Sequence, residues 1–262
     1  MSAVDYGRRG WVRLMLVAGF IFLYFPILSL IVFSFNDSKR NVTWRGFTLA
    51  YYEKALANES LHQALSNSLL IAGWTTVVAT VIGTMLGLSL QRYRFRGKGV
   101  FESWVHLPIV VPEVCFGVAL MVFFAAIRLP LGLTTVILSH IAFSIPFVAV
   151  VIRARMASFD PALEEAAHDL GASRWQSFRH VTLPHLMVGI VASALLVATL
   201  SLDDFVITFF TSGPGATTLP LKIYSMARFS VTPEINAAST VLMALTVMLV
   251  LGAVAIQTRW RR

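Results

Sequence analysis

The chain has 262 residues, of which 57% are hydrophobic and only 13% charged, with a formal charge of +8 and one cysteine. Mean hydropathy is +0.75. A soluble domain carries roughly a quarter charged residues, so these figures argue against a soluble enzyme and exclude disorder. The lone thiol, Cys115, excludes an intrachain disulfide framework and any cysteine-clustered metal site.

Six apolar windows follow in chain order, each near the ~20 residues that a helix needs to cross a bilayer core of ~30 Å. Residues 14–35 are the first; the window is too long for a cleavable signal, no small-residue cleavage site follows, and Pro26 is expected to kink it. Residues 48–57 read as a short outer helix capped by Thr48, with Tyr51, Tyr52, Ala55 and Leu56 on its apolar face. The second window is 60–91, with a span over about 69–90. The third, 105–127, is interrupted only by Glu113, and the fourth is 129–152. The fifth, 186–202, runs into Asp203 and Asp204 and resumes over 205–210; an outer segment with a turn at Ser212-Gly213-Pro214-Gly215 leads to the sixth, 235–258.

An even number of spans puts both termini on one side. With the N-terminus in the cytoplasm, that side carries Arg8, Arg9, Arg13, Arg92, Arg94, Arg96, Lys98, Arg153, Arg155, Arg174, Arg179, Arg259, Arg261 and Arg262, two thirds of the 21 Lys and Arg. This bias predicts both termini inside and accounts for the basic composition without nucleic acid.

The segment 153–185 is long for a connection between membrane helices. Asp160 can cap a helix, Pro161 suits its first position, and Glu164 and Glu165 lie at its positive end. Gly171 suits its stop, and Ser173-Arg174-Trp175-Gln176 has the form of a capping box opening a second helix. Leu183-Pro184 then marks the start of the fifth span. Periodicity alone allows a plain interfacial hairpin.

Glu165-Ala166-Ala167, Gly171 and Val181-x-Leu183-Pro184 resemble the EAA loop of ABC importer permeases, E-A-A-x3-G-x9-I-x-L-P. The spacing matches throughout, with Val181 in place of isoleucine. Ser66-Asn67-Ser68-Leu69 resembles the start of the type I permease transmembrane domain. That domain would occupy 65–255, with a tail, first helix and outer segment over 1–64 and a basic tail over 256–262. Tyr24-x-Pro26, the run from Ser34-Phe35-Asn36 to Lys39, Ser201-Leu202-Asp203-Asp204, Ser212-Gly213-Pro214, residues 219–225 and residues 233–237 resemble the second permease subunit of spermidine/putrescine transporters.

The resemblance implies an all-α, six-helix type I transmembrane domain in a bacterial inner membrane, acting as a non-catalytic permease by alternating access. It implies a second permease subunit as hetero-pair, two ATPase subunits, an extracytoplasmic polyamine-binding protein, surrounding membrane lipid and no nucleic acid. It also implies no cofactor on this chain and ATP-Mg on the partner ATPase; the sequence has no G-x4-G-K-[ST] loop to cradle phosphates. Coupling to the ATPase would fall to Glu164, Glu165, Ala166, Ala167, Gly171, Leu183 and Pro184. Gly171 would permit a sharp turn where a Cβ would hinder it.

Glu113, Asp203 and Asp204 stand in or beside apolar spans. A charge at the bilayer centre costs about 2.5–3.5 kcal/mol on insertion scales, so each should face protein or water. A cation pathway is one such setting, with aromatic walls adding cation–π contacts. Neighbouring helical residues diverge by about 100°, so one of Asp203 and Asp204 is expected to face a pathway and the other to make a structural bond. Tyr224, Trp74, Phe116 and Phe123 are candidate stacking partners. Bland alternatives are an outer helix end for the aspartates, a local bond for Glu113 at a proline kink, and packing for His140. An intramembrane aspartyl enzyme would need two carboxylates converging from separate elements, and a self-sufficient secondary transporter would leave the 158–186 loop unexplained.

Overall fold

The computed structural model describes residues 10–38, 43–228 and 233–260. Arg8, Arg9, Lys39, Arg261, Arg262 and the side chain of Arg259 lie outside the described residues. The described residues are almost wholly helical, and among them five helices, or six counting one bent pair, are long and apolar enough to cross a membrane. Contacts divide it into two units: residues up to Leu61 with Ile223–Met243, and His62–Lys222 with the chain from Ala244 onward.

In the first unit α1 (Gly10–Phe33) is apolar all round and continues through Pro26 without a break. Its exit is fixed by the Ser34-Phe35-Asn36 run. Ser34 Oγ lies 2.7 Å from the Tyr52 hydroxyl. Asn36 Nδ2 donates to the Thr43 carbonyl at 2.8 Å, and its Oδ1 accepts from the Arg45 N–H at 2.8 Å. The outer helix α2 starts at Ala50 and ends at Ala57, with the Ala50 N–H donating to Thr48 Oγ1. Leu56 is 69% exposed, so the packed face is narrower than the sequence suggests.

The second unit is built on α3 (Glu59–Arg92), α4 (Lys98–Val110), α5 (Glu113–Ala126), α6 (Leu133–Ala157) and α9 (Leu183–Asp203). Between α6 and α9 come α7 (Ala162–Asp169) and α8 (Arg174–Ser177); α10 (Val206–Thr211) follows α9. The segments α11 (Leu219–Ala227) and α12 (Pro233–Trp260) complete the chain.

Side-chain contacts define two ends of this unit. At the loop end, Arg92 at the close of α3 pairs with Glu164, and Glu102 of α4 pairs with Arg153 of α6 at 3.2 Å. At the far end, Asn67 near the start of α3 donates to the carbonyls of Gly215 and Thr217 at 2.9 and 3.0 Å. There the Leu219 N–H donates to Ser68 Oγ, and Thr135 Oγ1 donates to the Thr211 carbonyl. The chain therefore runs to the loop end in α3, away from it in α4–α5, back in α6 and away again in α9. The α4–α5 pair makes one net crossing, which raises the count to six.

That crossing, read from sequence as one window over 105–127 with a proline kink, is two helices. It breaks at Val111-Pro112 and bends by 108°. Pro112 lacks the N–H that would continue the ladder, and it drives Val111 to an extended φ/ψ of −72°/133°. The fifth span differs as well. It does not start at Leu183-Pro184: α8 passes through a π turn over Phe178–Thr182 directly into α9, giving an unbroken run Arg174–Asp203. Pro184 cannot donate to the carbonyl four residues back and its ring crowds it, so the preceding turn widens.

Lipid tails supply no hydrophobic drive between helices, so close backbone approach at small residues does the packing. Gly83 and Gly87 of α3 lie against α6. A Cβ on Gly83 would fall 2.5 Å from Val148 Cβ, and one on Gly87 would fall 2.8 Å from the Ala149 carbonyl oxygen. Gly73 on the same helix has open space around it. Gly87→Leu is expected to destabilise the protein by about 1–3 kcal/mol through overpacking. Gly73→Leu should leave the thermal unfolding midpoint in detergent nearly unchanged.

Candidate functional site

Two helix breaks meet inside the apolar layer of the second unit. One is the α4–α5 bend, with Glu113 opening α5; the other separates α9 from α10, with Asp204 extended at φ/ψ −62°/125°. They are pressed together through Gly117, where a Cβ would lie 2.9 Å from the Phe210 ring and 3.5 Å from Ile207 Cα. Glu113 stands ~20 Å of helix from the far end of α5.

Asp204 is bonded within this chain. One carboxylate oxygen accepts from the Ile207 N–H at 3.3 Å. The other accepts from the N–H and the hydroxyl of Thr208, each at 2.8 Å. Asp204 thus caps α10, satisfying donors that water cannot reach. His140 Nε2 lies 3.2 Å from the same carboxylate, with the two side chains only 2% and 9% exposed. A carboxylate only accepts, so Nε2 carries the proton in that contact. His140 Nε2 also stands 3.0 Å from Thr208 Oγ1, and Nδ1 stands 2.8 Å from Ser201 Oγ. The network locks α6, α9 and α10 together at the break. Of the two aspartates, Asp204 is the one that makes these bonds, and the helix end it caps is an internal one.

Asp203, one residue earlier, is exposed and bonds to no other side chain among the described residues. Glu113 is exposed too, with no hydrogen-bond or ion-pair partner among the described residues, so the expected local bond at the kink is not there. An exposed carboxylate thus stands at each of the two breaks. Of the aromatic candidates, Phe116 packs on Phe143 at 5.6 Å and Phe123 on Phe124 at 5.8 Å. Trp74 is 59% exposed on α3, and Tyr224, 49% exposed, belongs to the first unit.

At the loop end, Asp160 Oδ1 accepts from the Ala162 N–H, and the Ser173–Gln176 capping box forms as read from sequence. Gly171 has φ +86°. Its N–H donates to the His168 carbonyl and that of Ala172 to the Ala167 carbonyl, the paired bonds of a Schellman turn. No atom of this chain lies within 4 Å of a Cβ built there, so left-handed backbone, not crowding within the chain, requires glycine. Glu165, Ala166 and Pro184 are exposed, and Ala167 and Leu183 half-buried. Glu164 differs from Glu165: it pairs with Arg92 and accepts from the Thr182 hydroxyl. Arg92 and Thr182 as partners of Glu164, and Ser201 and Thr208 as partners of His140, are not legible in the sequence, because each pair joins separate elements.

The sequence pattern described as binding-protein-dependent transport system inner membrane component matches residues 79–260. The chain belongs to that family. It is 40% identical over 238 residues to the spermidine/putrescine transport system permease protein PotC of Escherichia coli K12, covering 91% of this chain and 90% of the relative. It is 41% identical over 263 residues to the putrescine transport system permease protein PotI of the same organism, covering 98% and 91%. Among solved structures, a bacterial ABC transporter involved in import of the acidic polysaccharide alginate superposes with TM-score 0.73 at 20% identity, covering 97% of both chains. An inward-facing MetNI methionine ABC transporter gives 0.67 at 18% identity, covering 77% of this chain and 96% of the other. The chain is thus a multi-pass inner-membrane permease with the ABC importer transmembrane fold.

Asp204→Ala leaves the Ile207 and Thr208 N–H groups buried without their acceptor and takes one of three partners from His140, and should destabilise the permease by roughly 3 kcal/mol. Asp203→Ala removes an exposed, unbonded carboxylate and should stay within about 0.5 kcal/mol. Thermal unfolding of the two variants in detergent compares them directly.

Proposed function

We propose that this permease is one of two membrane subunits of an ATP-driven importer that carries spermidine or putrescine into the cell by alternating access. Identity of about two fifths, over nine tenths of both chains, to two permeases named for these amines carries the substrate reading. The site chemistry supports it. A polyamine presents several ammonium groups, and each pairs with a carboxylate by roughly 4 kcal/mol at 4 Å under an effective dielectric near 20. Glu113 and Asp203 offer two unpaired acids for that purpose. The fold does not choose the cargo: the alginate transporter shares it and is named for an acidic polymer.

In this reading the loop end faces the cytoplasm, where Arg92, Arg94, Arg96, Lys98, Arg153, Arg155, Arg174 and Arg179 sit, and both termini lie on that side. The turn from Glu165 to Gly171 docks on a separate ATPase that binds ATP-Mg, and a binding protein delivers the amine from outside. Glu165, Ala166, Ala167, Leu183 and Pro184 belong to this docking and lever region. This chain binds no cofactor and performs no chemistry on the amine.

Two variants test this in proteoliposomes holding the complete transporter. With Asp203→Asn, ATP-driven uptake of labelled spermidine and putrescine should fall by about tenfold or more, while basal ATP hydrolysis persists. Unchanged polyamine uptake would make Asp203 a bystander, and uptake of neither amine by the wild type would discard the substrate. Gly171→Leu puts a side chain on left-handed backbone, a cost of about 1–2 kcal/mol, and should abolish coupled uptake with the protein still in the membrane.

A further inference from the structure

Sequence treats Glu164 and Glu165 alike, as two acids at the start of one short helix. The structure separates them. They point about 100° apart on α7. Glu165 is exposed and has no partner among the described residues. Glu164 turns inward and closes a triangle: the Arg92 guanidinium and the Thr182 hydroxyl both donate to Glu164 Oε1, and Arg92 Nη2 donates to Thr182 Oγ1 at 3.2 Å.

Each corner belongs to a different mechanical element. Arg92 is the last residue of α3, a 34-residue helix that runs the length of the second unit. Thr182 is fully buried in the π turn that leads into α9. Glu164 sits in the first turn of α7, which has only eight residues and no buried side chain of its own. A helix that short, attached through a glycine turn at one end, can swivel unless something fixes its azimuth. The Arg92–Glu164 pair is 33% and 24% exposed, so solvent screens it and it adds little to overall stability. What it adds is geometry: two charge-assisted bonds and a shared hydroxyl fix α7 against two membrane helices.

We infer that Arg92, Glu164 and Thr182 form a clamp that makes α7 move as one body with α3 and α9, and that Arg92 and Glu164 are positioning residues for coupling. This rests on the reading that the α7 region docks on an ATPase. Glu165 belongs to the docked surface, whereas Glu164 and Arg92 pass the displacement on to the membrane helices. Without the clamp the ATPase would still bind and turn α7, but the rotation would be lost as local swivel.

The complete transporter in proteoliposomes tests it, with ATP hydrolysis and labelled polyamine uptake measured together. Arg92→Ala and Glu164→Ala should each lower uptake per ATP hydrolysed by about tenfold, within the range by which residues linking two sites alter coupling. The double variant Arg92→Glu with Glu164→Arg restores the pair in reverse and should recover at least about half of the wild-type ratio, as interacting residues in a double-mutant cycle do. Single variants that couple as wild type, or a reversed pair no better than either single, overturns the clamp. Glu165→Arg keeps the two readings apart: loss there with wild-type coupling in the Arg92 variants keeps the docking surface and removes the clamp. Should the wild type carry neither amine, the substrate reading falls. The same pattern of loss and recovery is then sought in the stimulation of ATP hydrolysis by the binding protein, and its absence there removes the clamp.

Discussion

The structure depends on how it meets one constraint: inside a bilayer no water is available to satisfy a broken helix or an ionised side chain. This chain breaks two helices within its apolar layer and places the breaks against each other. The orphan N–H groups of α10 are taken up by Asp204, and the charge that this introduces is met by His140, itself held by Ser201 and Thr208. Three helices are thereby fixed around one carboxylate. Because Asp204 fills that structural demand, Asp203 beside it is left unpaired, and Glu113 opens α5 at the partner break in the same condition. An acid at a helix N-terminus is also favoured by the helix dipole, which lowers the cost of leaving Glu113 there.

The same helix that carries Asp203 at one end carries the π turn at the other. Twenty-one residues of α9, ~30 Å of rise, separate them. Its packing against α6 is tight, with Ile152, Leu186 and Val197 all fully buried. An interior packed to that degree moves as a body and transmits strain. One packed helix thus joins the loop end at Thr182 to the break at Asp203. The small residues of α3 serve this rigidity by bringing its backbone onto α6.

Much of this was legible from residue order. Runs of apolar residues set the crossings, because length and composition alone decide whether a helix can span hydrocarbon. The loop helices, the Asp160 cap, the Ser173–Gln176 box and the glycine turn are local, each made within a few residues of its own position. Ser66-Asn67-Ser68 was visible as a motif, but its work, holding the 215–219 segment at the far end, was not. The bend at Val111-Pro112 was half legible: proline announced a kink, but not its 108° angle, which goes with α4 packing on α6 and α5 packing chiefly on α10.

The sequence by itself determined the membrane class, the number of crossings, the local form of the 158–186 loop and the presence of three acids in apolar surroundings. It determined them because hydropathy, helix caps and proline geometry act over one helix or less. Only the tertiary structure decided which acid is which. Asp203 and Asp204 are chemically identical neighbours, and so nearly are Glu164 and Glu165. Their fates are set by His140, more than sixty positions away along the chain, and by Arg92, more than seventy away. A carboxylate's role in a medium without water is fixed by which partner reaches it, and that is a property of helix packing, which no local spacing encodes.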